Sequence, residues 1–294
     1  MTDDPSITTA VPEKPSKRKM TFKRQAKRLA ILVAGTYILG FIVALCFINR
    51  VLYWPHESSY SDDARITKLM TADGVQISAM WLPNAKARYT ILYSHGNGED
   101  MGDMEPYYQG IRNSGYAVLG YDYHGYGTSQ GSPSEEATYA DINAAYDWLV
   151  NVQHVSPERI LLLGRSIGGG PATDLAIRRP VGGLILESAF TSAFRVATHW
   201  PIFPKDRYCN LEKLPKVHCP VLVVHGRDDG VVRFWHGQKN YAAANDPKQF
   251  LWVEGAGHND LMLVGGQSYL QALDEFVKLV DQQRSPRVAA SMPE

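Results

Sequence analysis

The chain has 294 residues, 45% of them hydrophobic and 20% charged, and its 30 Lys and Arg balance 30 Asp and Glu. That length fits one large domain with accessory segments, since α/β folds of roughly 200–250 residues commonly form a single unit. Zero net charge gives no support to a nucleic-acid partner.

The neutrality hides an asymmetry at the N-terminus. Residues 14–28, KPSKRKMTFKRQAKR, carry eight Lys or Arg, and residues 29–49, LAILVAGTYILGFIVALCFIN, carry no charge. Twenty-one helical residues reach about 31 Å, the thickness of a hydrocarbon core. The stretch therefore reads as a transmembrane anchor. A cleavable signal has a shorter apolar run of about 7–15 residues and a small-x-small cleavage site, which Ala44-Leu45-Cys46 matches poorly. The basic cluster precedes the span, so the positive-inside rule puts the N-terminus in the cytosol and the rest on the far side, periplasmic in a bacterium. Residues 1–28 are polar and read as a disordered basic tail. Residues 50–64 read as a tether, with Tyr53 and Trp54 suited to the membrane interface.

From Arg65 the pattern changes. RITKLM and VQISAMWL flank Thr71-Ala72-Asp73-Gly74 as the arms of a β-hairpin. Six short apolar runs follow: YTILYSHG, YAVLGYDY, RILLLG, GGLILES, PVLVVHG and FLWVEG. Helical periodicity fills most of the gaps; in residues 135–153, Tyr139, Ile142, Ala145, Tyr146 and Leu149 share a face behind a Ser134 cap. Continuous aliphatic strands alternating with helices predict a mostly parallel sheet of about eight strands, covered on both faces, over residues 65–283. Residues 284–294 read as a frayed tail.

Ligands of such sheets sit beyond the carboxyl ends of the strands, and four strand ends carry chemistry. Gly164-Arg165-Ser166-Ile167-Gly168 after RILLLG is a Gly-x-Ser-x-Gly between a strand and a helix, where a sharp turn exposes the serine. A phosphate loop would need a Lys-Ser/Thr pair that this stretch lacks. His225-Gly226-Arg227-Asp228-Asp229 after PVLVV offers two acids, either of which would orient a base. His258, in Gly255-Ala256-Gly257-His258-Asn259-Asp260, supplies that base in the order Ser, Asp, His. His95-Gly96-Asn97-Gly98 after YTILYS frees backbone N–H groups which, with that of Ile167, would form an oxyanion hole. The residues leave the role of Arg165 open: it pairs with a nearby acid such as Asp228, or faces solvent. Cys209 and Cys219 form one disulfide or remain two thiols. No His or Cys pair has zinc-ligand spacing.

SHGNGED, YDYHGYGTSQGSPSE, GRSIGGGPA, LILESAFTS, HGRDDGVV and GAGHND occur in this order, and with them residues 65–280 resemble the α/β-hydrolase family. The chain looks most like its small members with an N-terminal membrane anchor, a group that includes protein depalmitoylases. The resemblance implies an α/β-hydrolase fold with a minimal cap and no cofactor or metal. It also implies a serine hydrolase cleaving a carboxylic ester or acyl thioester through an acyl-enzyme, its substrate a lipid, a lipidated protein or a soluble ester. The family consensus His-Gly-x-x-Asp-x-x-Val falls on Asp229, with Asp228 as second choice. Ser166 is then the nucleophile, His258 the base, Asp229 its orienting acid, and the N–H groups of Asn97 and Ile167 the oxyanion donors. A peptidase and an acyltransferase share this chemistry, so the motifs do not separate them, whereas a non-catalytic binding domain would have no need of the acid and base together. Only about 30 residues separate LILES from PVLVV. Their aromatics, Phe190, Phe194, Trp200, Phe203 and Tyr208, serve either as core or as the wall of an acyl pocket.

Overall fold

The computed structural model of the chain describes residues 17–198 and 206–290. Two compact units divide it, one up to Ile48 and one from Asn49.

The first unit is helical. Helix α1 (Lys17–Leu52) contains Thr21–Val43, 23 residues long and apolar enough to cross a membrane by length and composition. This window overlaps the sequence-read span over residues 29–43. The described part of the basic tail, from Lys17, is helix rather than disorder. Lys, Arg, Gln, Met and Ala are strong helix formers, and residues added to an existing helix escape the cost of nucleation. Residues 1–16 lie outside the described residues.

The second unit is built on eight strands: β1 (Ile66–Met70), β2 (Gln76–Leu82), β3 (Thr90–Ser94), β4 (Ala117–Tyr121), β5 (Ile160–Arg165), β6 (Gly183–Glu187), β7 (Val221–Gly226) and β8 (Lys248–Val253). Their order across the sheet is β1-β2-β4-β3-β5-β6-β7-β8. β1 and β2 form the expected hairpin, closed by the Thr71 N–H to Val75 carbonyl bond at 2.9 Å, with Gly74 at φ +82°. β2 is antiparallel to β4, and every later pairing is parallel.

Helices α2 (Met101–Asn113), α3 (Glu135–Asn151), α4 (Gly169–Arg178), α5 (Ala193–Thr198), α6 (Asn210–Lys213), α7 (Trp235–Ala243) and α8 (Leu261–Ala290, kinked at Gly266) complete the unit. Helix α8 runs to Ala290, into the stretch read from sequence as a tail, and residues 291–294 lie outside the described residues. Successive strand residues point to opposite faces, so two cores form. Leu92, Leu162 and Leu184 pack with Ile142 and Leu149 of α3 and Leu175 of α4. Tyr93, Leu161, Leu163 and Ile185 pack with Tyr108 of α2 and Phe276 of α8. The Ser134 hydroxyl caps α3 by accepting the Ala137 N–H at 3.0 Å, and Asp100 caps α2 in a capping box with Asp103.

From β3 the chain steps to β4 on one side, then returns to β5 on the other. The crevice between the carboxyl ends of β3 and β5 is thus the topological switch point, where open α/β sheets bind ligands.

Candidate active site

Ser166 sits at that switch point, opening the 3-10 turn Ser166–Gly168 between β5 and α4. Its φ is +53°, the left-handed region that disfavours a side chain. Only glycine fits on either side: a Cβ on Gly164 would lie 2.4 Å from the Gly168 carbonyl oxygen, and one on Gly168 2.2 Å from that of Ser94. The spacing of the motif follows from these two backbone contacts.

The loops after β7 and β8 bring an acid and a base to the serine. His258 Nε2 lies 3.1 Å from Ser166 Oγ, and His258 Nδ1 lies 2.8 Å from Asp229 Oδ2. With the proton on Nδ1 donated to Asp229, Nε2 is left to accept from the serine hydroxyl. Asp229 Oδ1 in turn accepts the N–H groups of Val231 at 2.9 Å and Val232 at 2.8 Å. Burial raises the pKa of Asp229, but the His258 hydrogen bond, the charges of His258 and His225 and the Val232 N–H outweigh it, holding the carboxyl below its ordinary range. Of the two adjacent acids, Asp229 meets His258, whereas Asp228 is exposed.

Asn97 lies in the loop after β3, and Ile167 follows Ser166 in the 3-10 turn. The Asn97 side chain is pinned: its Oδ1 accepts the Tyr126 hydroxyl at 2.6 Å and the Trp54 N–H at 3.0 Å. Glu99 closes the same loop by accepting the Gly96 N–H at 2.9 Å.

Arg165 is 5% exposed, and the acid it pairs with is Glu99. Its Nη1 lies 2.7 Å from Glu99 Oε1, and its Nη2 donates to Asn259 Oδ1 at 2.8 Å. Burial works against its charge, but Tyr93, Glu99 and Glu187 favour the cation and raise its pKa. These partners lie far apart in sequence, and no local signal would have found them.

The tether is also part of this site. Tyr53 is buried rather than interfacial, its hydroxyl bonded to that of Tyr208, because its ring joins the domain core. Trp54 is 69% exposed. Ser59 donates to Asp100, and the Tyr60 hydroxyl to the enclosed Asp122. The cluster of aromatics at Tyr53, Trp54 and Tyr60 was the available signal.

Between β6 and β7, Phe190 and Tyr208 belong to the core, Phe194 is half-buried, and Trp200 and Phe203 lie outside the described residues. Cys209 and Cys219 do not form a disulfide with each other. Among the described residues, His56, Asp100 and Asp103 bring ligand atoms within 4.8 Å of one another, yet Asp100 already accepts from Ser59 and from the first N–H groups of α2.

A mostly parallel sheet with a strained serine after β5 and an acid and a histidine after its last two strands defines the α/β-hydrolase class. A family model described as "Serine aminopeptidase, S33" matches residues 85–204. Alpha/beta hydrolase domain-containing protein 17B of Xenopus tropicalis is 41% identical over 235 residues, 76% of this chain and 78% of that protein. The domain-containing protein aho-3 of Caenorhabditis elegans is 39% identical over 244 residues, 80% of this chain and 72% of that protein. Among solved structures, the Pyrococcus furiosus esterase Pf2001 superposes with a TM-score of 0.66 at 18% identity, covering 77% of this chain and 97% of that one. The esterase RhEst1 of a Rhodococcus species gives 0.60 at 18% identity, covering 74% and 99%. The chain belongs to the α/β-hydrolase family, beside the alpha/beta hydrolase domain-containing proteins of the 17 group.

Proposed function

We propose that the chain is a membrane-anchored serine hydrolase that cleaves a carboxylic ester or an acyl thioester. The observation that carries this reading is the hydrogen-bonded line Ser166–His258–Asp229, at 3.1 and 2.8 Å, behind a serine in the strained left-handed conformation. Ser166 Oγ attacks the acyl carbonyl carbon while its proton passes to His258 Nε2, and Asp229 stabilises the imidazolium. The N–H groups of Asn97 and Ile167 receive the oxyanion. As the tetrahedral adduct collapses, His258 returns the proton to the departing alcohol or thiol, and an acyl-enzyme remains on Ser166. Water, deprotonated by His258, then releases the acid by the same route.

The apolar window of α1 supports membrane attachment, and the Lys and Arg before it support a cytosolic N-terminus with the hydrolase unit on the far side. A lipid or lipidated protein is then the substrate class within reach. The match to the serine aminopeptidase model favours a second reading, hydrolysis of a peptide bond by the same residues.

A fluorophosphonate probe is expected to label the native chain at Ser166. Ser166→Ala should abolish labelling and lower kcat on p-nitrophenyl acyl esters by about 10³-fold or more. A folded native chain that neither reacts with the probe nor hydrolyses esters overturns the proposal.

A further inference from the structure

Three loops must hold their places for the proposed reaction: the one bearing Ser166, the one bearing Asn97 and the one bearing His258. They follow β5, β3 and β8, elements that are not all neighbours in the sheet. One buried side chain touches the framework of all three. Arg165 immediately precedes Ser166, its Nη1 pairs with Glu99 at 2.7 Å, and its Nη2 bonds to Asn259, beside His258, at 2.8 Å. Glu99 uses its other oxygen to hold the Gly96 N–H at 2.9 Å, next to Asn97. The sulfur of Met104, 3.6 Å from Nη1, closes the guanidinium in.

We propose that Arg165 is a positioning residue, whose guanidinium locks the oxyanion-donor loop and the general-base loop onto the strand that carries the nucleophile. The inference rests on the hydrolase reading above and deepens it. A buried ion pair is weak evidence for stability, because desolvating both charges offsets most of their attraction. Geometry is what a planar, five-donor fork supplies: it holds two acceptors in fixed directions at once. Lysine keeps the charge but presents a single nitrogen, so it cannot span Glu99 and Asn259 in the same arrangement. Loss of the bridge leaves substrate contacts in place and loosens the reacting groups relative to one another. Misplacement by about 1 Å is enough to cost about 10²-fold in rate.

The full chain in detergent micelles is assayed on a p-nitrophenyl acyl ester, with kcat and KM separated, beside Ser166→Ala. Arg165→Lys is expected to lower kcat by about 10–100-fold with KM within about twofold. Asn259→Ala, at an exposed position that tolerates truncation, is expected to lower kcat by about tenfold with an unchanged melting temperature. In the Arg165→Lys background the same Asn259→Ala should cost less than about threefold, because the two act through one contact. Should Arg165→Lys fail to fold, Asn259→Ala alone decides. Full kcat in the folded variants, or a loss expressed in KM alone, overturns the bridge and leaves the hydrolase reading standing. A native chain without Ser166-dependent hydrolysis overturns both.

Discussion

Asp122 is a carboxyl group enclosed on every side, receiving the Met101 N–H at 2.9 Å and the Tyr60 hydroxyl, with His95 Nε2 at 3.4 Å. Burial, aided by the charges of Asp100 and Asp103, raises its pKa to about 8, and burial lowers that of His95 to about 4. Between these values both groups are neutral, and a protonated Asp122 faces the lone pair of a histidine whose Nδ1–H donates to the Gly96 carbonyl at 2.8 Å. An unfolded carboxyl titrates near 4, so from about pH 4 to 8 the unfolded chain has released a proton that the folded chain retains. Stability contributed by this group therefore falls as pH rises through that window, by roughly 1 kcal/mol per pH unit. Asp122→Asn removes the slope. In urea unfolding of the unit from Asn49, the native-minus-variant difference is expected to shift by about 2–3 kcal/mol in the variant's favour from pH 5 to 7.5. His95 contributes an opposite slope to both proteins and cancels; a difference that stays flat with pH refutes the assignment. This carboxyl and the partners of Arg165 lie in runs that the sequence singles out, but their contacts were not readable, because what surrounds Asp122 comes from Tyr60, His95 and Met101 on separate elements. The positions of Ser166 and His258 could be singled out because glycines and a preceding strand mark their loops, whereas the residues left Asp228 and Asp229 as equal candidates and only the family resemblance separated them.

Among the elements, the strands were the most readable. A strand buried on both faces, such as Leu161–Leu163, must be apolar along its middle, and in β5 Gly164 marks its approach to the turn. The start of α1 and the end of α8 were not readable: strong helix formers carry α1 back through the basic stretch, and α8 continues past Pro286, although a proline ordinarily ends a helix. Tyr53 was misread for a related reason: an aromatic suited to an interface is equally suited to a core. The packing of the tether has a measurable consequence. Tyr53 fills the core beside Tyr208, Ser59 and Tyr60 bond Asp100 and Asp122, and Trp54 N–H holds the Asn97 side chain. Burying an aromatic of this size is worth about 3–5 kcal/mol, and about 1 kcal/mol shifts the melting point of a domain this large by about 2–4 °C. A chain beginning at Arg65 should thus melt about 10 °C below one beginning at Asn49. It should also lose about tenfold in kcat, as the Asn97 loop is no longer held. Equal melting temperatures would show that the tether merely lies on the surface.

At the scale of the whole molecule, two units of opposite character share one chain. The unit from Asn49 buries its apolar residues in two cores, whereas Leu29, Ile31, Leu32, Val33, Ile38, Leu39 and Ile42 of α1 are all exposed. Each such residue left in water forgoes about 1.5–3 kcal/mol of burial, a deficit that a lipid core removes. The backbone of a helix is satisfied internally, so this segment can enter lipid without unpaired polar groups. The full chain is therefore expected to stay in the membrane fraction through an alkaline carbonate wash, and the intact mass of the extracted protein should include residues 29–49. The unit from Asn49 should be soluble and hydrolyse a short p-nitrophenyl ester with kcat/KM within about threefold of the full chain, since Asn97, Ser166, Ile167, Asp229 and His258 all lie outside α1. On a substrate whose acyl chain is held in vesicles the soluble unit should fall behind by tenfold or more, through lost effective concentration rather than altered chemistry. A mature protein lacking residues 29–49 would identify the segment as a cleaved signal, and equal rates on vesicles would remove the anchor from the reaction.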